Sequence, residues 1–253
     1  MKEFLLKHIR VKTLAVSWHV CWLTYLLTEG TNFINLLLCL ITGASLQAVA
    51  NLYNSSSSNQ ELKRYIWFLV ATSFVAGGIV AFQKPGLWAF APLAYVLAFG
   101  YSRTIFSTIK VSESFLGTLL ILVAFGPFAS LGVAIAVEGA NFFENFIAGF
   151  INAIFAHNLL WIHHLKDLEK DKAAGKKTIP ALLGEKKSLT LFVAENAFGV
   201  LFVNFYFGLP QATVILVFVT ILAWLIMFKD FLLAFHYWVF SLLIFPFVFK
   251  LVT

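Results

Sequence analysis

Apolar runs follow one another along this chain with hardly a break, at 13–28, 33–53, 65–82, 87–101, 115–137, 145–162, 189–207, 211–228 and 231–252. Roughly 20 mostly apolar residues are what an α-helix needs to cross the hydrocarbon core of a bilayer. Within that core every backbone amide must find a partner inside the protein, which restricts such runs to helices. Composition excludes the water-soluble alternative. Only 12% of the 253 residues are charged and 60% are hydrophobic, whereas a soluble domain carries roughly 25% charged residues. The expectation is an all-α, multi-pass membrane protein with nine transmembrane helices bundled around a central chamber, in a single domain over 1–253. The connections are too short to hold a soluble domain. The first run follows a basic start, as a secretory signal would, but no small-residue cleavage site follows it, and it is read as a retained helix.

Orientation follows from charge, because Lys and Arg accumulate in cytoplasmic loops. On nine spans, all of the 18 basic residues except Lys84 and Lys250 fall on one side. That predicts a cytoplasmic amino terminus, an outside carboxyl terminus and an integral protein of the plasma (inner) membrane. The net charge of +6 then reflects topology and attraction to anionic membrane lipid, not nucleic acid. Cys21 and Cys39 lie in the first two runs without CxxC spacing and read as packed apolar residues.

Polar residues collect on that same side, at Asn51–Arg64, Tyr101–Glu113 and His163–Lys187. A site mouth is therefore expected there, and the chamber is expected to open to the cytoplasm. In FAHNLLWIHHLKDLEKDKAAGKKTIPALLGEKK, residues 155–187, Asp167 and Asp171 are four apart and share a face if the sixth helix continues through them. His163 lies one turn earlier on that face. Gly175 is placed to end the helix, and Pro180 to begin a short turn that Gly184 stops. Paired carboxylates followed by lysines suit Mg²⁺, which is held by one or two carboxylates plus phosphate oxygens. A solvated, lysine-rich cytoplasmic loop has the same pattern, so the residues alone leave both readings open.

The run HHLKDLEKDKAAGKKTIPALLG resembles the second aspartate-rich motif of the UbiA superfamily of intramembrane prenyltransferases, nearest the 1,4-dihydroxy-2-naphthoate prenyltransferase branch. Asp167, Asp171, Ala174, Gly175, Lys176, Thr178, Leu183 and Gly184 carry the match. IRVKTL at 9–14 resembles the family's R-P-x-T-L entry, with Val11 in place of proline. YSRTIFSTIK and GTLLILVAFGP resemble its fourth-to-fifth helix connection. The family's first aspartate motif aligns with LQAVANLYNSSSSNQEL through Gln47, Asn51, Leu52 and Asn54, but its aspartate positions hold Ser55, Ser58 and Leu62.

The resemblance implies a prenyl diphosphate substrate, a small aromatic or lipid-like acceptor, Mg²⁺ as cofactor and a step of quinone biosynthesis. Asp167 and Asp171 would be the catalytic, metal-holding pair. Lys172, Lys176, Lys177 and Lys110, with Arg103 nearby, would meet the diphosphate. Asn51, Asn54, Ser55 and Ser58 would hydrogen-bond it in place of the missing carboxylates. Neutral oxygens are poorer ligands than carboxylates for a hard dication, and each 1.4 kcal/mol of lost transition-state stabilisation costs about tenfold in rate. Three readings follow: a working prenyltransferase with a rebuilt first motif; a weak or inactive relative that binds an isoprenoid diphosphate or a partner protein; or a transporter or structural membrane protein. The scarcity of charge in the span centres weighs against the last. His163 and His164 replace the asparagines usual in the naphthoate branch, and Tyr53, Tyr95 and Tyr101 are candidates for facing a carbocation.

Overall fold

The computed structural model describes residues 9–55, 60–101, 104–105, 109–139 and 141–252. Each apolar run forms helix. α1 (Ala15–Leu27) continues a 3-10 turn at Val11–Leu14, and α2 (Phe33–Ser55) and α3 (Gln60–Gln83) follow as a long antiparallel pair. Pro85–Ala89 makes a second 3-10 turn before α4 (Phe90–Gly100). α5 (Phe115–Val123) and α6 (Ala129–Ala136) are two parts of one rod, joined by a π turn at Ala124–Phe128. α7 (Phe142–Lys166) leads into two short helices, α8 (Leu168–Ala173) and α9 (Ile179–Leu183). α10 (Glu185–Phe207), α11 (Leu209–Met227) and α12 (Phe231–Val252) complete the chain. The all-α expectation needs one addition. In the connection after α4, β1 (Thr104–Ile105) pairs antiparallel with β2 (Ile109–Lys110), Thr104 opposite Lys110 and Ile105 opposite Ile109.

Among the described residues six helical rods are long and apolar enough to cross a membrane, and Pro85–Gly100 and Thr213–Met227 are shorter apolar helices. α1 has 13 residues, which at 1.5 Å rise makes roughly 20 Å against a hydrocarbon core of about 30 Å. Helix length alone therefore accounts for fewer crossings than the nine expected.

The bundle has two unequal parts. In one, α1, α7, α10, α11 and α12 close around Leu23, Phe155, Trp161, Phe192, Trp238 and Phe245, all 2% exposed or less. Phe155 stacks on Trp238 with centroids 4.6 Å apart, and the Trp238 indole N–H donates to the Phe155 carbonyl at 2.9 Å. Polar groups tie α7 to α10: Asn158 and Asn196 exchange amide hydrogen bonds of 2.8 and 3.1 Å, and His157 Nδ1 lies 2.6 Å from Glu195 Oε1. Glu195 is an acidic residue near the middle of α10, and His157 is its partner. In apolar surroundings, pairs of this kind hold helices together because separation would leave amides unsatisfied.

The other part, α2 to α6, is loosely filled and faces α1 and α7. The π turn sets the wall between them. Pro127 has no N–H for the helical ladder, and the turn brings Gly126 against α7, where a Cβ would meet the Ala153 Cβ at 2.8 Å. Gly149 on α7 completes the contact, 3.2 Å from the Pro127 Cα in the same sense. Small residues along this half, among them Gly43, Gly77, Ala91, Ala94 and Gly132, leave space where the other half has aromatic rings.

Candidate functional site

That space is a chamber of about 1060 Å³, walled by α1 to α7 with Phe235 of α12. Most of its wall is apolar. Phe74, Trp88, Tyr95, Phe125 and Phe128 supply aromatic surface, and the Tyr95 hydroxyl is fixed by Ser73 Oγ at 2.8 Å. Phe74 and Trp88 are 60% and 41% exposed, so the wall between α3 and α4 reaches the outer surface of the bundle.

One end of the chamber is polar, and α2 builds it. Gln47 Nε2 donates to the Thr13 carbonyl at 2.6 Å and its Oε1 accepts from Ser17 Oγ at 2.6 Å. One turn on, Asn51 Nδ2 donates to the Ile9 carbonyl at 2.8 Å and to Thr13 Oγ1 at 3.1 Å. These bonds strap residues 9–17 across the end of α2. Arg10 takes a left-handed conformation, φ 54°, to start the 3-10 turn, and its carbonyl accepts from the Thr13 amide at 2.7 Å. The strap thereby sets Arg10 and Lys12 at the chamber's polar end, opposite His163 and Lys166 of α7. Arg10, Lys12 and Lys166 are exposed, so this end is the mouth. No Asp or Glu lines the chamber among the described residues.

Beside the mouth, three connections interlock. Lys110 Nζ donates to the Asn54 carbonyl at 3.1 Å, and Ser112 Oγ donates to Asn54 Oδ1 at 3.1 Å. The Lys177 amide donates to the Glu113 carbonyl at 2.8 Å, and Ser114 and Lys177 form a parallel bridge. The aligned first motif, the α4–α5 connection and the second motif therefore meet at one end of the bundle.

The second motif is more folded than a loop. α7 stops at Lys166, Asp167 joins it to α8, and the Asp171 amide still donates to the Asp167 carbonyl at 2.8 Å. Gly175 at φ 68° turns the chain, Thr178 Oγ1 caps α9, and Gly184 at φ 77° ends it. The two aspartates have different surroundings. Asp171 is 4% exposed, and Lys176, brought back by the Gly175 turn, donates to its Oδ1 at 2.7 Å. Asp167 is half-buried, with His163 Nδ1 at 3.6 Å and Lys170 Nζ at 3.7 Å.

Of the other expected contacts, Asn51 lines the chamber, whereas Asn54 and Lys110 sit in the interlocked connections. Lys172 is exposed and bonds Glu169 at 3.0 Å, and Lys177 is exposed on the rim. Ser58 and Arg103 lie outside the described residues, as does the Ser55 side chain. Tyr95 and Tyr101 face the chamber, while Tyr53 packs edge-on against Phe99 outside it. Sequence reasoning missed Arg10, Lys12 and Lys166 as site residues, having counted them for topology alone; the signals were the resemblance of 9–14 to a family entry motif and, for Lys166, its place in the run 163–184.

The donor set suits a cluster of metal ions poorly. Among the described residues no group of three His, Cys, Asp or Glu side chains is placed to hold one. Lys176 already lies against Asp171 at 2.7 Å, and Lys170 lies within ion-pair range of Asp167. The amide of Asn54, at an aligned motif position, is committed to Ser112. A profile of the UbiA prenyltransferase family matches residues 56–238.

The chain belongs to the UbiA prenyltransferase family.

Two solved structures share its fold. One is the apo structure of a UbiA homolog from Aeropyrum pernix K1, 16% identical, with a TM-score of 0.73 over 96% of this chain and 98% of that one. The other is a digeranylgeranylglyceryl phosphate synthase in membranes, 16% identical, with a TM-score of 0.63 over 100% and 99%. No curated protein matches the chain in sequence. UbiA enzymes generally use Mg²⁺ through aspartate motifs. This UbiA chain keeps two aspartates, one of them engaged by a lysine.

Proposed function

We propose that this UbiA chain is an intramembrane prenyltransferase that holds a prenyl diphosphate with its head at the cationic mouth and its tail in the chamber. The observation that carries the reading is an apolar, aromatic-walled chamber with Arg10, Lys12 and Lys166 at its mouth. In the reaction the bond between the allylic carbon and the diphosphate oxygen breaks, and its electron pair leaves with the diphosphate. Fixed positive charge stabilises that departing anion, most strongly where water is excluded. The ring faces of Tyr95 and Phe125 stabilise the allylic cation, and the apolar wall keeps water from capturing it. The acceptor's nucleophilic atom then bonds to the allylic carbon and gives up a proton to water.

In this reading Lys110, Lys172, Lys176 and Lys177 form a positive rim that draws the anion towards the mouth. Asp167 orients His163 from outside the chamber, and Asp171 anchors Lys176. Asn51 holds the strap that carries Arg10, and any diphosphate contact from Asn54, Ser55 or Ser58 is secondary. A small aromatic acceptor, or a lipid-like one entering past Phe74 and Trp88, completes the pair of substrates. The dihydroxynaphthoate branch and a place in quinone biosynthesis are supported by the run from Asp167 to Gly184. Nine crossings, a cytoplasmic amino terminus and the plasma membrane are supported by the placement of the basic residues.

One observation favours a second reading, a weak or inactive relative that binds the diphosphate without turning it over. Asp171, Asn54 and Asn51 all have internal partners. Membranes containing the protein, given radiolabelled geranylgeranyl diphosphate and a panel of hydroxylated naphthoates and lipid alcohols, separate the two. The prenyltransferase reading predicts a labelled apolar product that disappears in Arg10→Gln/Lys166→Gln. Saturable binding with no product would replace it by the second reading.

A further inference from the structure

The charges around the chamber do not match those of a metal-clamped diphosphate site. We infer that this chain binds the diphosphate head directly through Arg10, Lys12 and Lys166, without a divalent metal. The inference rests on the prenyl diphosphate reading above and names how that site recognises its anion.

Four observations lead to it. First, the chamber lining contains these three cations and no carboxylate among the described residues. A dication entering this end meets three cations in the lining, while the Asp167 carboxylate lies outside the lining, 3.6 Å from His163 Nδ1. Second, the most buried acid of the retained motif is already neutralised. Asp171 is 4% exposed and Lys176 Nζ sits 2.7 Å from its Oδ1, so this carboxylate oxygen is already taken by a cation. Third, neither Arg10 nor Lys166 forms an ion pair among the described residues, and the polar neighbour of Lys12 Nζ is the His236 ring rather than a carboxylate. Among the described residues no carboxylate pairs with them, so their charge is available to an incoming anion. Fourth, they converge from two elements. The strap held by Gln47 and Asn51 fixes Arg10 and Lys12, while Lys166 ends α7 on the other side.

The residue types suit the task. An arginine offers a planar fork of donors that meets two phosphate oxygens at once, and lysines supply compact charge beside it. A phosphate-headed ligand with an apolar tail satisfies both the mouth and the chamber. A head without a tail leaves the chamber unused, and a tail without a head leaves three cations unpaired. The neutral side chains at the first-motif positions are consistent with this arrangement, since carboxylates there would compete with the diphosphate once no metal bridges them.

The test is binding of geranylgeranyl diphosphate to the full chain in detergent, by isothermal titration, in excess EDTA and in Mg²⁺, with geranylgeraniol and inorganic diphosphate as controls. The expected result is an affinity in EDTA within about threefold of that in Mg²⁺. Arg10→Gln/Lys166→Gln should weaken it at least tenfold, and Lys166→Arg should retain it. Geranylgeraniol and inorganic diphosphate should each bind more weakly than the joined molecule. Both substituted positions are exposed, and an unchanged thermal midpoint without ligand verifies folding. Binding that needs Mg²⁺ and vanishes in EDTA would overturn the inference while leaving the prenyl diphosphate reading intact. Absence of binding in both buffers would overturn that reading, and this inference with it.

Discussion

Asp171 is nearly removed from solvent, and burying a carboxylate without a partner is costly. Lys176 is that partner, five residues on, reached because Gly175 reverses the chain at φ 68°. Replacing Asp171 by Asn should lower stability by about 1–3 kcal/mol, the usual worth of a charge-assisted hydrogen bond, read as a lower unfolding temperature in detergent. Wild-type stability in the variant would mean that Lys176 is not held there. The Asn158–Asn196 pair makes the complementary case. Removing one amide leaves its partner unsatisfied, whereas removing both removes the need. Asn158→Leu alone should therefore destabilise by about 1–2 kcal/mol, and Asn158→Leu/Asn196→Leu by less than the single change. A double variant weaker than either single would contradict this. At this scale the motif was legible: Gly175, Pro180 and Gly184 occupy the turn positions that their types require. The lysine across from Asp171 was not, because helical spacing says nothing about partners on the far side of a glycine turn.

Among the elements, the rod from α5 to α6 shows how a local fault shapes a wall. The sequence reads 115–137 as one apolar run, and Pro127 is the visible interruption. Its consequence depends on α7, whose Gly149 and Ala153 receive the turn at van der Waals contact. Gly126→Ala should force the rod outward, because an added Cβ would lie 2.8 Å from the Ala153 Cβ and 3.1 Å from the Gly149 carbonyl oxygen. Overpacking of that kind costs roughly 1–3 kcal/mol. Since the displaced rod is a chamber wall, ligand affinity should fall along with the unfolding temperature. A stable variant with unchanged affinity would show that the contact does not set the wall. The strap at 9–17 was only partly legible. Gln47 and Asn51 stood out as polar residues on an apolar helix, but their partners are backbone carbonyls more than 30 residues away, and sequence spacing cannot reveal these. The β1–β2 ribbon likewise fell in a stretch read simply as polar connection.

The whole molecule joins a tightly packed half, α1 with α7 and α10–α12, to an open half that holds the chamber. Apolar run lengths made the membrane class and the helical fold legible, and the resemblance of 163–184 pointed to the UbiA family that the chain belongs to. The division into halves was not legible, since 29 phenylalanines are apolar wherever they lie, and packing is a matter of which faces meet. An odd number of crossings places the two termini on opposite sides. If the proposed nine crossings hold, tags at each end, probed with protease in sealed membrane vesicles of known orientation, should show the amino-terminal tag on the cytoplasmic side and the carboxyl-terminal tag on the other. Both tags on one side would require an even count.

The central claim is that the chamber holds an isoprenoid tail while the mouth holds its phosphate head. The most direct measurement is photolabelling with a geranylgeranyl diphosphate analogue carrying a diazirine at the tail end, followed by mass spectrometry of the labelled peptides. The account predicts labels on chamber residues remote from the mouth, such as Cys39, Leu87 and Phe128, competed away by unlabelled geranylgeranyl diphosphate. Labels confined to lipid-facing positions such as Phe205, 91% exposed, and insensitive to the competitor would contradict it.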